Sequence, residues 1–391
     1  MISVEEATAR VLEIARPLGT ETVPIAEAVG RVLAADTRAA RAQPPFDAAA
    51  MDGYALRAAE LKPGAAFSVI GEAAAGRRFR GAVGPGQAVR IFTGAPVPES
   101  ADAVVIQEGV SREGDRITIL DSLGEGSNIR PFGSDFALGA TFAAPRRLGP
   151  AELSLLAAMN LPRLGVFRRP EVALIATGDE IVMPGDAPGE DQIVGSNIFG
   201  LKAIIEAEGG RARILPVARD TEASLKAVFG LAEGADLVVT IGGASVGEHD
   251  LVARVARDLG VEMAFHKVAM RPGKPLMSGR FGRAAMLGLP GNPVSALVCG
   301  LLFLAPMLRA MQGLPDPLPK PRTSVLGADV EENGPRAHYM RARLEAGTIT
   351  PFERQDSSLL SVLSEANALL IRPVADPPRQ AGETVPYLPL G

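Results

Sequence analysis

The residue types that could do chemistry lie in loops that follow apolar runs typical of buried strands. In ADLVVTIGGASVGEHD, residues 235–250, the apolar run ends in a loop that contains Gly242, Gly243, Ser245, Gly247 and Asp250. Glycines adopt positive φ values readily and let backbone amides approach an anion closely. The continuous apolar run predicts a central parallel strand that presents this loop to a ligand.

The stretch LGLPGNPVSA, residues 287–296, repeats the pattern of an apolar strand, a Gly/Pro turn and a helix. Asn292 fits the N-cap position, and Pro293 fits the first helical position, where its missing N–H costs nothing. The N-terminus of such a helix favours anions because its backbone amides are unpaired. The sequence therefore predicts a second anion-binding loop close to the first.

Charged residues of both signs are predicted at the same sheet edge. Residues 171–312 alternate strand and helix, which predicts a doubly wound, mostly parallel sheet with its ligand beyond the carboxyl ends of the strands. Acidic residues follow these strand ends, namely Asp179, Glu180, Asp220 and Asp250. Basic residues lie between the two loops, namely Lys267, Arg271 and Lys274. This combination predicts a phosphorylated ligand with Mg²⁺ bridging phosphate and carboxylates; the alternative is that the acids cap helices and the cations are solvated.

Acidic and hydroxyl residues also occur in turn-like stretches of the N-terminal half. Asp52 lies in FDAAAMDGYAL, Thr93 follows a strand in IFTGAPVP, and Asp135 lies in the loop SNIRPFGSDFALG together with Arg130. Ordinary turn chemistry explains each stretch equally well. Residues 67–141 alternate short apolar runs with Gly/Pro turns, which predicts a compact β domain.

Composition limits the class of protein. The chain has 391 residues, of which 47% are hydrophobic, so it can bury a sizeable core. A formal net charge of −5 and an aromatic content of 4% disfavour nucleic acid as a partner. The single cysteine, Cys299, excludes a disulfide within the chain, and the three histidines lack metal-ligand spacing. The N-terminal segment is unlike a signal peptide, so we expect a cytoplasmic protein.

Apolar periodicity predicts the remaining elements. Helices are predicted at residues 4–15, 25–33, 150–159 and 197–208. The most apolar stretch, residues 294–308, is shorter than the roughly 20 residues of a membrane span, and we interpret it as a buried helix. After a stiff proline-rich linker at residues 314–321, a small β domain is predicted, with a helix at residues 359–365. Arg341 and Arg343 alternate along one of its strands and share a face, which suits an interface or a ligand site.

Longer motifs occur in a fixed order along nearly the whole chain. They are PPFDAAAMDGYA, FTGAPVP, GSDFALG, TGDEI, SN at residues 196–197, GGASVGEHD, KVAMRPGKP, LPGNPVS and the region 357–367. The set resembles the molybdopterin molybdenumtransferase family, the bacterial molybdenum insertases related to the E domain of gephyrin. The resemblance implies a multidomain α/β plus β fold with a central doubly wound molybdopterin-binding-like domain. The implied domains are a discontinuous N-terminal domain at residues 1–44 and 137–170, an inserted small β domain at 45–136, the α/β domain at 171–313 and a C-terminal β-barrel-like domain at 322–391.

The resemblance also implies a reaction and an assembly. Adenylated molybdopterin and molybdate are the implied substrates, and hydrolysis of the phosphoanhydride releases AMP and leaves molybdenum on the dithiolene sulfurs. Mg²⁺ is the implied helper ion. The implied assembly is an elongated homodimer whose site lies between the α/β domain of one subunit and parts of the other. A molybdopterin adenylyltransferase and downstream cofactor-processing proteins are the expected partners.

Individual roles follow from the motif positions that match the family. The implied catalytic residues are Asp52, Thr93, Asp135, Glu180, Asp220 and Asp250. Glu180 and Asp250 are also the expected metal ligands. The expected substrate contacts outside the molybdate pocket are Gly242, Gly243, Ser245, Gly247, Lys267, Pro290, Asn292 and Pro293. The resemblance also implies a molybdate pocket that comprises Arg271, Lys274, Ser295, Arg341 and Ser357. Cationic and hydroxyl donors of this kind suit a tetrahedral dianion.

One departure from the family pattern bears on this pocket. Asp356 stands where the family often has glycine, and a carboxylate there would repel molybdate unless it turned away or was paired. Two other functions remain open at this stage. A molybdopterin adenylyltransferase would share the α/β domain and attach AMP instead of releasing it. A catalytically inactive pterin-binding scaffold would bind the pterin without forming active cofactor.

Overall fold

The computed structural model describes residues 1–120, 126–243 and 251–390. Within these residues the α-helices are Val4–Ile14, Pro150–Ala158, Asn197–Ala207, Glu222–Gly230, Leu251–Asp258, Pro293–Cys299, Ala305–Met311 and Leu360–Glu365. Short 3₁₀ turns occur at Ile25–Glu27, Ala58–Glu60 and Gln107–Gly109, and Gly300–Leu304 forms a π-helical segment. The predicted helices near residues 4–15, 150–159, 197–208 and 359–365 are confirmed.

The centre of the molecule is a mixed sheet covered by helices on both faces. Its strands lie in the order Arg211–Ile214, Glu171–Ala176, Leu237–Ile241, Ala284–Leu289, Met277–Phe281 and Val261–Phe265. The first four are mutually parallel, and Met277–Phe281 runs antiparallel to its neighbours. The predicted doubly wound, mostly parallel sheet is therefore confirmed, although the antiparallel strand was not predicted.

Two apolar cores fix the helices on this sheet. One face packs against Val4–Ile14, Asn197–Ala207 and the long apolar helix. The other face packs against Glu222–Gly230 and Leu251–Asp258. Burial of these apolar faces, more than helix propensity, holds such helices in place.

The long apolar helix, Pro293–Met311, is continuous through its π-helical segment. It is 19 residues long and apolar enough to cross a membrane by length and composition, and it is the one such helix among the described residues. Of its most apolar window, 78% is buried inside the protein. This burial supports its prediction as a core helix.

The N-terminal segment forms a small sheet beside the central core. Its strands lie in the order Thr20–Pro24, Arg163–Phe167, Val32–Leu33 and Arg146–Arg147, and Thr37–Arg38 pairs with Thr141–Phe142. The prediction of a helix at residues 25–33 is wrong. The helical turn is limited to Ile25–Glu27, Gly30 then adopts a φ of +72°, and Val32–Leu33 pairs with strands more than a hundred positions away.

The inserted region forms a six-stranded sheet with apolar clusters on both sides. Its strands lie in the order Ala103–Ile106, Gly53–Leu56, Gln87–Ile91, Ala66–Ala73, Arg116–Ile119 and Val110–Glu113, and Ala48–Ala49 pairs with Ile129–Arg130. A Cβ atom at Gly53 would lie 1.9 Å from the carbonyl oxygen of Val105. Glycine is therefore required beside Asp52 because two strands approach closely there.

The C-terminal region closes into a five-stranded barrel, which confirms the expected barrel-like domain. Its strands lie in the order Arg322–Leu326, Thr348–Pro351, Ala337–Glu345, Ala368–Arg372 and Thr384–Pro389, and the last pairs with the first. Met270–Arg271, from the central region, adds to the barrel by pairing with Ala337–Glu345. The barrel is thus tied directly to the α/β region.

Candidate active site

A cavity of about 620 Å³ lies beyond the carboxyl ends of the parallel strands. Residues that follow all four of these strands line it, together with the start of the helix Asn197–Ala207 and a two-stranded ribbon, Ile181–Val182 and Ile193–Val194. Among the predicted site residues, the structure brings together here Glu180, Asp220, Gly242, Gly243, Pro290, Asn292, Pro293 and Ser295. We call this space the rim cavity.

The glycine loop contributes space to the rim cavity. Gly242 and Gly243 have φ values of +92° and +64°. A Cβ atom on Gly242 would lie 2.8 Å from the carbonyl oxygen of Thr177, so any side chain would crowd the neighbouring strand end. The N–H of Gly242 donates to the carbonyl of Leu289 at 3.1 Å and is not free for a ligand. Gly242 therefore leaves space for a ligand to approach the main chain, but it does not supply the backbone N–H donor that was predicted.

Two carboxylates line the rim cavity, those of Glu180 and Asp220. Both residues are exposed. A Cβ atom on Gly178 would lie 2.3 Å from an oxygen of the Glu180 carboxylate, so that carboxylate folds back over the chain at the strand end. The neighbouring Asp179 has a structural role, because its carboxylate accepts the N–H of Asp220 at 3.1 Å.

These carboxylates can hold a metal ion only with help from a ligand or from other residues. In the parts of the chain that the structure describes, no group of three His, Cys, Asp or Glu residues is close enough to hold a metal ion. Mg²⁺ typically takes one or two carboxylates, several waters and substrate phosphates. The acidic wall therefore fits an Mg²⁺ ion that arrives with a phosphorylated substrate.

The C-terminal barrel reaches the rim cavity through the loop that carries Ser357 and Ser358. Asn292 Nδ2 donates to Ser357 Oγ at 2.9 Å, and the N–H of Val294 donates to the carbonyl of Ser357 at 3.0 Å. Asn292 occupies the N-cap position as predicted, but its side chain bonds Ser357 and does not cap the helix. Ser358 lines the cavity.

Some residues that line the rim cavity were not singled out from the sequence. Asn197 Nδ2 donates to the carbonyl of Gly291 at 2.7 Å and so connects two cavity loops. Ser358 and Thr177 line the same cavity. All three lie in stretches that carried the family resemblance, since Thr177 begins TGDEI, Asn197 belongs to the SN pair and Ser358 lies in the region 357–367, but none of them was predicted as a site residue.

Arg341 is the most deeply buried cation near this loop. It is 0% exposed, and its Nη2 donates to the carbonyl of Asp356 at 2.9 Å. Its Nε and Nη1 have no hydrogen-bond partner. Burial lowers the pKa of this guanidinium. Arg343 lies on the same strand but is exposed. The two arginines were predicted to share one face, and only Arg341 is buried there.

The carboxylate of Asp356 is occupied within its own loop. It accepts the N–H of Ser358 at 2.8 Å and the hydroxyl of Ser358 at 2.6 Å. These two bonds hold the pKa of Asp356 below its ordinary value. The carboxylate is therefore held within its own loop by neutral donors and keeps its negative charge, while Arg341 bonds only the main-chain carbonyl of Asp356.

The predicted basic cluster is divided. Arg271 lies in a separate cavity of about 460 Å³ at the mouth of the barrel, where its Nη2 donates to Asn333 Oδ1 at 3.0 Å. Burial, followed by the charges of Arg271, Arg341 and other arginines, lowers the pKa of His338 in that cavity to about 3. Lys267 and Lys274 are partly buried and do not line the rim cavity. Arg271 therefore lines a different cavity from Ser295, one of the residues with which it was predicted to act.

The N-terminal candidates form a group of their own. Asp52 Oδ1 accepts both the N–H and the hydroxyl of Thr93, each at 2.7 Å. The amide bond first, and the hydroxyl bond second, lower the pKa of Asp52. Asp135 is exposed in a nearby loop, and its N–H donates to the carbonyl of Gln43 at 3.0 Å. Asp52, Thr93 and Asp135 do not line the rim cavity.

Large apolar side chains are exposed in these same N-terminal loops. Met51 is 47% exposed, Phe132 60% and Leu138 68%. Single exposed apolar residues are normal on a protein surface. The remaining predicted site residues, Ser245, Gly247 and Asp250, lie outside the described residues, and their roles stay predictions.

Comparisons with known proteins match three regions of the chain. Residues 2–160 match the MoeA N-terminal region (domain I and II), residues 173–310 match a probable molybdopterin binding domain, and residues 323–390 match the MoeA C-terminal region (domain IV). The similarity therefore extends well beyond the α/β region.

Individual relatives are similar over most of their length. The chain is 37% identical over 386 residues to molybdopterin molybdenumtransferase 2 of Mycobacterium tuberculosis, covering 95% of each chain. It is 37% identical over 317 residues to molybdopterin molybdenumtransferase of Haemophilus influenzae, covering 80% of this chain and 78% of the relative. A crystal structure of the molybdopterin biosynthesis MoeA protein from Pyrococcus horikoshii has a TM-score of 0.84 at 32% identity, covering 100% of this chain and 99% of the other.

Proposed function

We propose that this chain, which belongs to the molybdopterin molybdenumtransferase family, inserts molybdenum from molybdate into adenylated molybdopterin and releases AMP. Membership makes it a transferase of molybdenum cofactor biosynthesis. The observation that carries the finer proposal is the rim cavity, which is lined by two carboxylates, by Asn292 and Ser295 from the α/β region and by Ser358 from the barrel loop. That arrangement suits a phosphorylated pterin, which carries both anionic and hydrogen-bonding groups.

The molybdate end of the site is proposed to lie at Arg341. A buried guanidinium with two unpaired N–H groups is costly unless an anion satisfies it. Its one side-chain contact within 3 Å is the carbonyl that directly precedes Ser357, and Ser357 bonds the rim cavity through Asn292. Ser295, which lines the cavity, completes the proposed set. Lys274 does not line the cavity and is kept in the set on the family resemblance alone. A tetrahedral oxyanion would receive charged and hydroxyl donors there.

Mg²⁺ is proposed to bind at Glu180 and Asp250, with Asp220 on the same wall. When bound with substrate, it would neutralise charge on the phosphoanhydride oxygens. The protein groups then have separate tasks. The carboxylates orient the phosphate end, the loop glycines permit close approach, and Asn292 and Ser357 hold the barrel loop against the cavity. Since the thiolates of the pterin bind the metal oxyanion, no side-chain nucleophile is needed.

A homodimer is proposed to complete the site. Asp52, Thr93 and Asp135 carry the resemblance to the family but do not line the rim cavity of their own chain. The exposed apolar residues around them supply a surface that a second copy can cover. We further propose that the protein acts in the cytoplasm and receives its substrate from a molybdopterin adenylyltransferase.

The reaction is tested by measuring AMP release from purified adenylated molybdopterin with Mg²⁺, with and without molybdate. We expect molybdate to stimulate AMP release and the product to reconstitute a cofactor-free molybdoenzyme. Tight binding of the pterin without AMP release under any oxyanion would support a scaffold. Net attachment of AMP to molybdopterin from ATP would support an adenylyltransferase.

The shared site is tested by mixing two inactive variants, Asp52→Asn and Glu180→Gln. If each site draws these residues from different subunits, a mixed dimer has one intact site, and random exchange restores about one quarter of wild-type AMP release. Each variant alone, carried through the same unfolding and refolding, is the control. Absence of any recovery, with mixed dimers confirmed by mass spectrometry, would place all the residues of a site within one subunit.

A further inference from the structure

Arg90 lies at the centre of a contact network that surrounds Asp52. Its guanidinium carbon lies 5.0 Å from the ring centroid of Tyr54 and 4.8 Å from that of Phe92. Its Nη1 donates to the carbonyl of Gly53 at 3.2 Å, and its Nη2 donates to Gln107 Oε1 at 2.7 Å. Arg90 forms no ion pair with any residue that the structure describes. Stacking and hydrogen bonds to neutral groups therefore hold this arginine.

The network fixes the main chain on both sides of the Asp52 side chain. The N–H of Gln107 donates to the carbonyl of Asp52 at 3.1 Å, and the side chain of Gln107 is held by Arg90. Arg90 itself binds the next carbonyl along the chain, that of Gly53. Thr93, three residues after Arg90, then holds the carboxylate through two bonds. Arg90 thus connects the three segments that orient Asp52.

We propose that Arg90 is a positioning residue that fixes Asp52 and Thr93 for the molybdenum insertion reaction. The proposal rests on the function proposed above. A planar guanidinium can stack between two rings and donate two bonds in fixed directions at the same time. An ammonium group keeps the charge but loses this geometry. Arg90 acts through the aspartate and need not touch the substrate.

Three variants separate geometry, charge and general stability. In Arg90→Gln both the charge and the fork are lost, in Arg90→Lys the charge remains, and Arg112→Gln is the matched control. Arg112 lies on the same sheet and donates to the hydroxyl of Tyr54 at 3.5 Å, but it has no contact with Asp52. Thermal melting checks that each variant is folded.

We expect Arg90→Gln to lower kcat for AMP release at least about tenfold, by analogy with other lost positioning contacts, with little change in KM. The two bonds from Thr93 are the main cause of the lowered Asp52 pKa and the charge of Arg90 is a smaller one, so loss of the charge alone raises this pKa slightly, and a larger rise follows if Thr93 also loses its position. The acid limb of the pH profile, where activity is lost as Asp52 is protonated, moves to higher pH. Arg90→Lys restores this limb but not the full kcat. Arg112→Gln changes neither.

Two results would overturn the proposal. One is an Arg90→Gln variant with unchanged kcat and pH profile. The other is that Arg90→Gln and Arg112→Gln lose the same fraction of activity and that this loss follows the fall in melting temperature of each variant. An NMR titration of the Asp52 carboxyl carbon in wild type and Arg90→Gln gives a readout that needs no turnover. If the wild type releases no AMP, the proposed reaction fails, and an unchanged Asp52 titration would separately contradict the link to Arg90.

Discussion

Replacement of Arg341 by methionine is expected to abolish molybdate-dependent AMP release while making the folded protein more stable. The guanidinium is fully buried, two of its nitrogen atoms have no hydrogen-bond partner, and no described carboxylate lies within ion-pair distance. Burial of an incompletely paired charge costs free energy, and a methionine of similar shape removes that cost. We expect the free energy of unfolding to rise by about 1–3 kcal/mol.

The functional loss has the same physical origin. In the proposed site molybdate satisfies the two unpaired nitrogen atoms of Arg341, so removal of the guanidinium weakens molybdate binding directly. We expect molybdate-dependent AMP release to fall at least about 100-fold, as for removal of one preorganised donor. Chemical denaturation of the protein without substrate measures the stability. Titration of AMP release against molybdate measures the function.

Arg343→Met is the matched control for this change. Arg343 lies two positions along the same strand but is exposed, so its removal should alter neither stability nor molybdate dependence appreciably. A less stable Arg341→Met protein with wild-type molybdate dependence would show that Arg341 serves only the barrel. It would remove the main support for the proposed molybdate pocket.

The sequence predicted those parts of the fold whose signal is local. The continuous apolar run that ends at Gly242 predicted a central strand and its loop, and the structure places both at the rim cavity. The strand Met277–Phe281 was missed because its sequence, MSGRF, has neither an apolar run nor a clear alternation. Its place in the sheet comes from pairing with neighbours on both sides.

The parts that could not be predicted depend on contacts between distant segments. Asn292 and Ser357 are 65 positions apart, and no pattern in either segment indicates that the N-cap side chain would bond the barrel loop. Arg271 was grouped with Lys274 by proximity in sequence, but its strand pairs with the barrel and carries it to another cavity. Asp356 was expected to repel an anion unless it turned away or was paired, and its bonds from Ser358, two residues on, hold the carboxylate within its own loop.

Glu180→Gln is expected to reduce AMP release by about 10²–10³, the effect of losing one group that stabilises charge at a reacting centre. The substitution keeps the size of the side chain and an acceptor oxygen but removes the negative charge. Because that charge is proposed to hold Mg²⁺ against the substrate phosphates, the Mg²⁺ concentration for half-maximal activity should rise. The measurement is AMP release as a function of Mg²⁺ at saturating molybdate.

Asp179→Asn is the matched control for Glu180→Gln, because it removes a negative charge from the neighbouring residue. The Asp179 carboxylate accepts the N–H of Asp220 and does not line the rim cavity, and an asparagine oxygen can accept the same bond. Asp179→Asn should therefore keep near wild-type activity and Mg²⁺ dependence. Equal losses in both variants would mean that the loop conformation, and not the Glu180 charge, is required. A Glu180→Gln variant with unchanged Mg²⁺ dependence would mean that other residues bind the metal. The proposed role of the rim cavity would then be limited to binding the pterin.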